Sequence, residues 1–418
     1  MLGSQVHSSP SRVYGASWAK EDMLDHCFYL IGLFVLLKPE SIAYLSQTAN
    51  SLWNIARLAV EGIVLILFLT SLSEFKRNRG ANAMFTAILF YSCTLGISTG
   101  LSKYGSIGSW LQETVHLIGA FMLFTLVFTR VRRPLSMLVE VYALYVLMNL
   151  VTIALFPKGM YAQALTGFGY NWFLGTRNVF ITYVLPLTMF VILKYQAFDS
   201  DRVVDVSKCL RIAIVILGAL SCIMLGSATS TVALCIVGLG MLIPRARQGK
   251  RPFTPFGYFI IVVIMFVTIV MLKSLAGFSW IIEQMLGKSL SLSGRTDLWS
   301  RMNDLISSGP VMGYGVMTGE DIVLLTGRAD YINSHDMYLW SLFRGGYTGL
   351  VFFMFIVGVA LAELTINRKA PGASIVSLGV FVVLVMWLVE CVSLRAVLPL
   401  LLVSCYLQDP SSKTSSVY

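Results

Sequence analysis

Long apolar runs separated by short polar connections set the pattern of this chain. They recur near 23–37, 52–72, 83–101, 112–129, 135–156, 178–195, 209–226, 229–243, 256–273, 338–364, 373–391 and 395–407. Most approach the length a helix needs to cross a hydrocarbon core, roughly 17–25 residues. Inside a bilayer only helices and closed barrels satisfy their own backbone groups, and runs this long point to helices. The pattern therefore predicts an all-α polytopic membrane protein with about 12 transmembrane helices. One long polar interval, 274–337, breaks the rhythm between the spans ending at 273 and starting at 338. The organisation expected is a tail (1–22), a transmembrane bundle of about nine spans (23–273), a large loop (274–337), C-terminal transmembrane helices (338–407) and a second tail (408–418).

Basic residues orient the spans. One set of connections carries Lys76, Arg77, Arg79, Arg130, Arg132, Arg133, Lys194, Arg202, Lys208, Arg211, Arg245, Arg247, Lys250, Arg251, Arg368 and Lys369. The alternate set holds only Lys38, Lys103, Lys158, Arg177 and Arg395. The positive-inside rule then puts both termini in the cytoplasm and the long loop on the outer face. The N-terminal stretch is polar and Ser-rich with no cleavable signal, so the first span is expected to stay as an anchor. Span-embedded charges follow the same polarity. Arg57, Glu61, Glu113, His116, Arg177, Glu390 and Arg395 all fall toward the outer ends. A charge within a span costs about 2.5–3.5 kcal/mol on the lenient scale, so each needs a reason. Arg57 reads either as the i,i+4 ion-pair partner of Glu61 or as a cation kept for a ligand. Glu113 and His116 read as interfacial.

The loop is not featureless. Ser293 can cap a helix over roughly 295–307 that Gly309-Pro310 ends, with Leu298, Met302, Leu305 and Ile306 as its apolar stripe. Asp297 and Arg301 are i,i+4 partners, whereas Arg295 has no partner at that spacing. A cation in a first helical turn opposes the helix dipole and favours an anionic ligand there. Gly313-Tyr314-Gly315 signals a turn, and Arg328 with Asp330 reads as a solvated pair. His335, the one histidine of the loop, stands where the chain re-enters the membrane, beside Asp336. Histidine exchanges a proton near neutral pH, and a positioned base is worth roughly 10²–10⁴ in rate. The turn at Gly226–Ser230 reads first as packing.

Composition narrows the classes. The chain is 56% hydrophobic and only 12% charged, far from a soluble domain. Its net charge of +10 sits in short clusters at span ends, the positive-inside distribution and not a nucleic-acid footprint. The cysteines, Cys27, Cys93, Cys209, Cys222, Cys235, Cys391 and Cys405, lie in or beside apolar runs without a CxxC pair. They predict neither a disulfide framework nor a zinc site. No cofactor is expected.

Four motifs in order carry a resemblance. Ser293-Gly294-Arg295-Thr296-Asp297-Leu298-Trp299, Gly313-Tyr314-Gly315, Asn333-Ser334-His335-Asp336-Met337-Tyr338-Leu339 and Gly345-Gly346-Tyr347-Thr348-Gly349-Leu350 resemble the C-terminal signature of the O-antigen ligase and polymerase family. Gly175-Thr176-Arg177-Asn178 is similar to that family's element at the start of a middle span. Asp336 stands where the family often has asparagine. The resemblance implies a bacterial cytoplasmic-membrane glycosyltransferase, working without a metal on the outer face. Its partners would be an undecaprenyl-pyrophosphate-linked glycan donor, a glycan acceptor and the bilayer, with a chain-length regulator and a flippase as candidates. In that picture His335 is the base and Arg295 is catalytic, holding the pyrophosphate with Arg177. Asn178, Arg57, Trp299, Asn333 and Tyr338 would complete the substrate contacts. Arginine suits this chemistry because its fork grips phosphate in two places. Polymerisation of repeat units for a surface or exopolysaccharide is the leading expectation, and transfer to another acceptor by a ligase is the alternative. A lipid-linked glycan transporter is the reading from a different class. It would be expected to carry charge through the midplane rather than at one face.

Overall fold

A computed structural model describes residues 23–162, 170–195, 206–243, 254–268, 295–327 and 333–407. The Ser293-Gly294 cap, the Arg328–Asp330 pair and the basic residues Arg202, Arg245, Arg247, Lys250 and Arg251 lie outside them.

Every apolar window of the sequence carries a helix. In chain order these are α1 (Met23–Leu36), α2 (Ser41–Leu45), α3 (Gln47–Thr70), α4 (Leu72–Arg77), α5 (Arg79–Leu101), α6 (Ile107–Arg130), α7 (Pro134–Leu155), α8 (Ile181–Leu193), α9 (Val206–Met224), α10 (Ala228–Leu242) and α11 (Pro255–Phe266). There follow α12 (Arg295–Ser308), α13 (Gly319–Thr326), α14 (Met337–Ile366), α15 (Ala373–Trp387) and α16 (Leu394–Tyr406). Six of them, α3, α5, α6, α7, α9 and α14, are long and apolar enough to cross a membrane. Six further apolar helices are shorter. The chain is thus a multi-pass helical membrane protein. Its surface agrees, since α3 turns Leu52, Ile55, Leu58, Ile66 and Leu69 outward. Such a face is stable in lipid tails, which solvate apolar groups well.

Local chemistry sets the helix starts. Ser46, Asn78, Ser106, Ser227 and Thr254 each accept a backbone N–H of the turn they open. These caps satisfy donors that have no intrahelical partner. The helices α5 and α14 pack along each other, as do α3 with α6, α7 with α8, and α10 with α15.

One element departs from an all-α fold. Between α7 and α8 a short antiparallel hairpin pairs β1 (Asn171–Trp172) with β2 (Gly175–Thr176). It is fastened to α7: the Trp172 indole donates to Phe156 O at 2.7 Å, Phe173 N to Thr152 Oγ1 at 3.2 Å, and Leu174 N to Asn149 Oδ1 at 3.0 Å. Gly175 has φ +126°, and a Cβ there would lie 2.3 Å from Glu40 Oε2. The hairpin therefore sits directly on the α1–α2 connection.

The long helix α14 breaks near its start. Gly346 has φ 60° and ψ −165°, outside the helical region. The break leaves the carbonyls of Phe343 and Arg344 without helical donors, and the Gly313-Tyr314-Gly315 turn supplies them. Tyr314 N donates to Phe343 O at 2.9 Å and Gly315 N to Arg344 O at 2.8 Å. The approach is so close that a Cβ on Gly346 would lie 2.2 Å from Val311 O. The same turn is tied to the end of α5, where Val316 N donates to Thr99 Oγ1 at 2.9 Å. A polar segment and two membrane helices are locked together at this point.

Candidate functional site

A cavity of about 630 Å³ opens where the ends of α1, α8, α14, α15 and α16 converge. Its lining includes Lys38, Glu40, Arg177, Asn178, Asn333, His335, Glu390 and Arg395. Residues from both halves of the sequence meet there, which no local spacing rule would reveal.

His335 is held by its neighbours on both sides. Asn333 Oδ1 accepts His335 N at 2.9 Å, and Asp336 caps α14 by accepting Leu339 N at 2.8 Å. Ser334 between them is fully buried, and its carbonyl accepts the Trp299 indole N–H at 3.0 Å. These anchors force His335 to φ 48°, the left-handed region, which it alone among the described non-glycine residues adopts. Such a conformation is uncommon away from glycine and persists only when the surroundings impose it.

Glu390, in the α15–α16 connection, is the hub of the site. Its Oε2 lies 3.2 Å from His335 Nδ1. Its Oε1 accepts Arg295 Nη2 at 2.5 Å, Asn178 Nδ2 at 2.8 Å and Thr229 Oγ1 at 3.3 Å. Burial pushes the Glu390 carboxyl up, but the His335 hydrogen bond and the Arg295 charge outweigh it and hold the carboxyl below the ordinary range. An ionised carboxylate at Nδ1 fixes the proton there and leaves Nε2 as the lone-pair nitrogen. Asn178 is itself set by Ser227, which donates to its Oδ1 at 3.0 Å. The Gly226–Ser230 turn thus supports Glu390 through Thr229 and Asn178. Cys391, next along, is no competing nucleophile, since burial pushes its thiol up to about 12.

The residues expected from sequence fall into three groups. His335, Arg177, Asn178 and Asn333 line the cavity. Arg177 also donates Nη1 to Leu225 O at 3.1 Å, which steadies it on the α9–α10 turn. Arg295 is placed differently from the unpaired cation expected, because its partner Glu390 lies far along the chain and not one helical turn away. It holds the carboxylate that holds His335. Trp299, Tyr338 and Arg57 are not in the cavity lining. Trp299 is fully buried and anchors the Ser334 carbonyl. Tyr338 donates to Leu384 O at 2.9 Å and packs edge-on against Phe353 and Trp387. Arg57 Nε lies 3.2 Å from Glu61 Oε1, which His116 Nδ1 also reaches at 2.8 Å. Of the readings open for Arg57, the ion pair is the one the structure contains. Arg344 is paired as well, with Glu113.

Sequence reasoning passed over Glu390, Glu40 and Lys38 as site residues. For Glu390 a signal existed, a charge at the junction of the last two spans. For Glu40 and Lys38 the signal was only their place in a short connection near the first span.

Fold and site together define a multi-pass helical membrane protein with a basic, histidine-bearing cavity at one end of its bundle. Residues 212–354 match the family model described as O-antigen ligase, a match that supports membership of the O-antigen ligase and polymerase family. The matched third of the chain contains Thr229, Arg295 and His335, while Lys38, Glu40, Arg177, Glu390 and Arg395 lie outside it. A comparison with curated proteins gave no match.

Proposed function

We propose that the chain is a membrane glycosyltransferase that polymerises undecaprenyl-pyrophosphate-linked oligosaccharide repeat units into a surface or exopolysaccharide on the outer face of the bacterial cytoplasmic membrane. The observation that carries this reading is the His335–Glu390–Arg295 cluster on a basic cavity. In the reaction, His335 Nε2 takes the proton of an acceptor sugar hydroxyl. The oxygen attacks the anomeric carbon of the donor from the face opposite the phosphate. The carbon–oxygen bond to phosphate breaks, its electron pair stays on the phosphate, and undecaprenyl pyrophosphate leaves. Glu390 stabilises the imidazolium formed and returns it to the working tautomer once the proton passes to water. Arg177 faces the charge building on the leaving group, where a charge-assisted contact is worth about 1.5–3 kcal/mol. Arg295 acts mainly by fixing Glu390. Chain-length regulators and flippases are the partners such a polymerase would meet, and the orientation with both termini cytoplasmic follows from the basic connections.

The description of the matched family favours a second reading, a ligase that passes the finished glycan to a different acceptor. Purified protein given a lipid-linked repeat unit as sole substrate separates the two. A ladder of longer glycans that His335→Ala abolishes supports the polymerase. Transfer seen only when another acceptor is added supports the ligase. No transfer in either format, with donor binding intact, overturns the transferase reading in favour of transport.

A further inference from the structure

Beyond α12 the loop turns back through an apolar, uncovered tip. From Gly309 to Met317 the chain carries no charge. Pro310 is exposed, and Val311 is 83% exposed. The helix just before it behaves differently, exposing Arg301, Asp304, Ser307 and Ser308 as a segment in water does. The tip is held between two membrane helices. Ser98 Oγ of α5 donates to Met312 O, and the Val311 carbonyl lies against Gly346 of α14.

Two separate rulers place that contact relative to the bilayer. Basic residues mark one membrane face, with Lys76, Arg77 and Arg79 at the start of α5 and Arg368 and Lys369 just past the end of α14. A helix crosses the hydrocarbon core in about 20 residues, and that length counted along α5 from Arg79 ends near Thr99. The same length, about 20 residues, counted back along α14 from Ile366 ends near Gly346. Both counts arrive at the residues that hold the turn. The neighbouring surface is apolar as well. Phe90, Ile97 and Leu101 lie exposed on one face of α5, and Tyr347, Val351 and Phe355 on one face of α14. Phe90 stacks on Phe352 at 5.1 Å and joins the two helices there. Tyr347, 69% exposed beside the tip, is of a type enriched at the membrane–water boundary. The backbone of the turn suits a place with little water. Pro310 has no N–H, and its carbonyl accepts Gly313 N at 2.8 Å. The Met312 carbonyl accepts Ser98, while Tyr314 and Gly315 donate to the broken end of α14.

We infer that the Pro310–Val311–Met312 turn is a membrane anchor, which lays its side chains among the lipid acyl chains at the boundary of the leaflet on the loop's side. Lipid is the partner because the tip continues the apolar faces of α5 and α14 at the depth where both helices leave the hydrocarbon core. The same turn closes the break in α14, so the anchor sets the height of the loop against the start of the helix that His335 precedes.

The test reads lipid contact directly. Full-length wild-type protein is placed in nanodiscs of phosphatidylethanolamine and phosphatidylglycerol with a trace of phospholipid carrying a diazirine near the carboxyl end of its acyl chain. After illumination, carbene adducts are mapped by mass spectrometry. Adducts are expected on Pro310–Met312 as on Tyr347 and Val351, and none above background on the Arg301–Asp304 face of α12. Val311→Trp gives a second readout, as the emission it adds to that of the native tryptophans. Lipids brominated near the carboxyl end of the acyl chain should remove most of that emission, and acrylamide in the water should remove little. Asp304→Trp should show the reverse. A tip without adducts while Val351 is labelled, with Val311→Trp open to acrylamide, puts the turn in water and overturns the anchor. A tip without adducts and a tryptophan sheltered from both quenchers means that protein covers the turn, such as a second copy of the chain, and overturns it equally. If Val311→Trp does not fold, the adduct map of the wild-type chain decides alone.

Discussion

Glu390→Gln is a nearly isosteric change whose effect can be worked out from the hydrogen bonds. Three donors converge on Oε1, from Arg295, Asn178 and Thr229, and one ring nitrogen, His335 Nδ1, faces Oε2. A glutamine has one oxygen and one NH2. Placing the NH2 toward Oε1 would set it against three donors, so the oxygen stays there and the NH2 turns to His335. Nδ1 must then accept, and the ring proton moves to Nε2. The nitrogen assigned as base becomes a donor. Recovering the working tautomer means giving up a hydrogen bond that was charge-assisted in wild type, a difference of about 1.5–3 kcal/mol, or roughly 10–150-fold in the active population. The lost stabilisation of the imidazolium adds to this, and the sum should not exceed the worth of the base, roughly 10²–10⁴. Single-turnover glycan extension with a lipid-linked repeat unit should therefore fall about 10²–10³-fold, with donor affinity within a few-fold of wild type. A Glu390→Gln enzyme that extends glycan at the wild-type rate while His335→Ala is dead would refute the tautomer argument.

Other perturbations read other parts of the structure. Glu40 is a carboxyl whose folded pKa is raised, to about 7 from an ordinary 4.5, so its contribution to stability is complete below 4.5 and is lost as pH rises through about 7. The melting temperature should decline over that window in wild type and flatten in Glu40→Gln. Glu390 has the opposite sign: its depressed carboxyl contributes above the ordinary range and is lost as pH falls through the lower folded value, so Glu390→Gln should remove part of the acid-side loss of melting temperature. Arg57→Met leaves buried Glu61 with His116 as its remaining hydrogen-bond partner, and should cost about 3–5 kcal/mol in thermal or denaturant unfolding. Arg57→Met with Glu61→Leu should recover much of that, and neither variant should change donor KM as Arg177→Ala does. Gly346→Ala meets the Val311 carbonyl and an unfavourable φ, so it should lower the melting temperature more than Gly358→Ala, which meets nothing within 4 Å.

Much of the scaffold was legible because membrane solvation writes length and apolarity directly into sequence. The helix expected over 295–307 runs Arg295–Ser308, its end fixed by Gly309-Pro310. The β1–β2 hairpin was not legible, since two residues per strand give no alternation to read. The site was legible in part. Histidine and arginine announce chemistry by type, which drew attention to His335, Arg177 and Arg295. Glu390 stayed hidden because its partners lie 55 and 95 residues away, and spacing rules see only one helical turn. The same blindness made Arg295 look unpaired. Trp299 and Tyr338 stand in the motifs for a different reason, the burial of large rings that position the backbone at Ser334 and the start of α14.

The backbone at His335 has a consequence for anyone engineering this protein. A left-handed residue with a Cβ carries a penalty of about 1–2 kcal/mol that glycine does not, and that asparagine carries only in part. Selection for heat tolerance alone would find His335→Gly or His335→Asn attractive, and under the proposed mechanism would enrich sturdier proteins that have lost their proton acceptor. On that mechanism a thermostability campaign on this scaffold needs a catalytic counter-screen, because durability and turnover would pull this position in opposite directions.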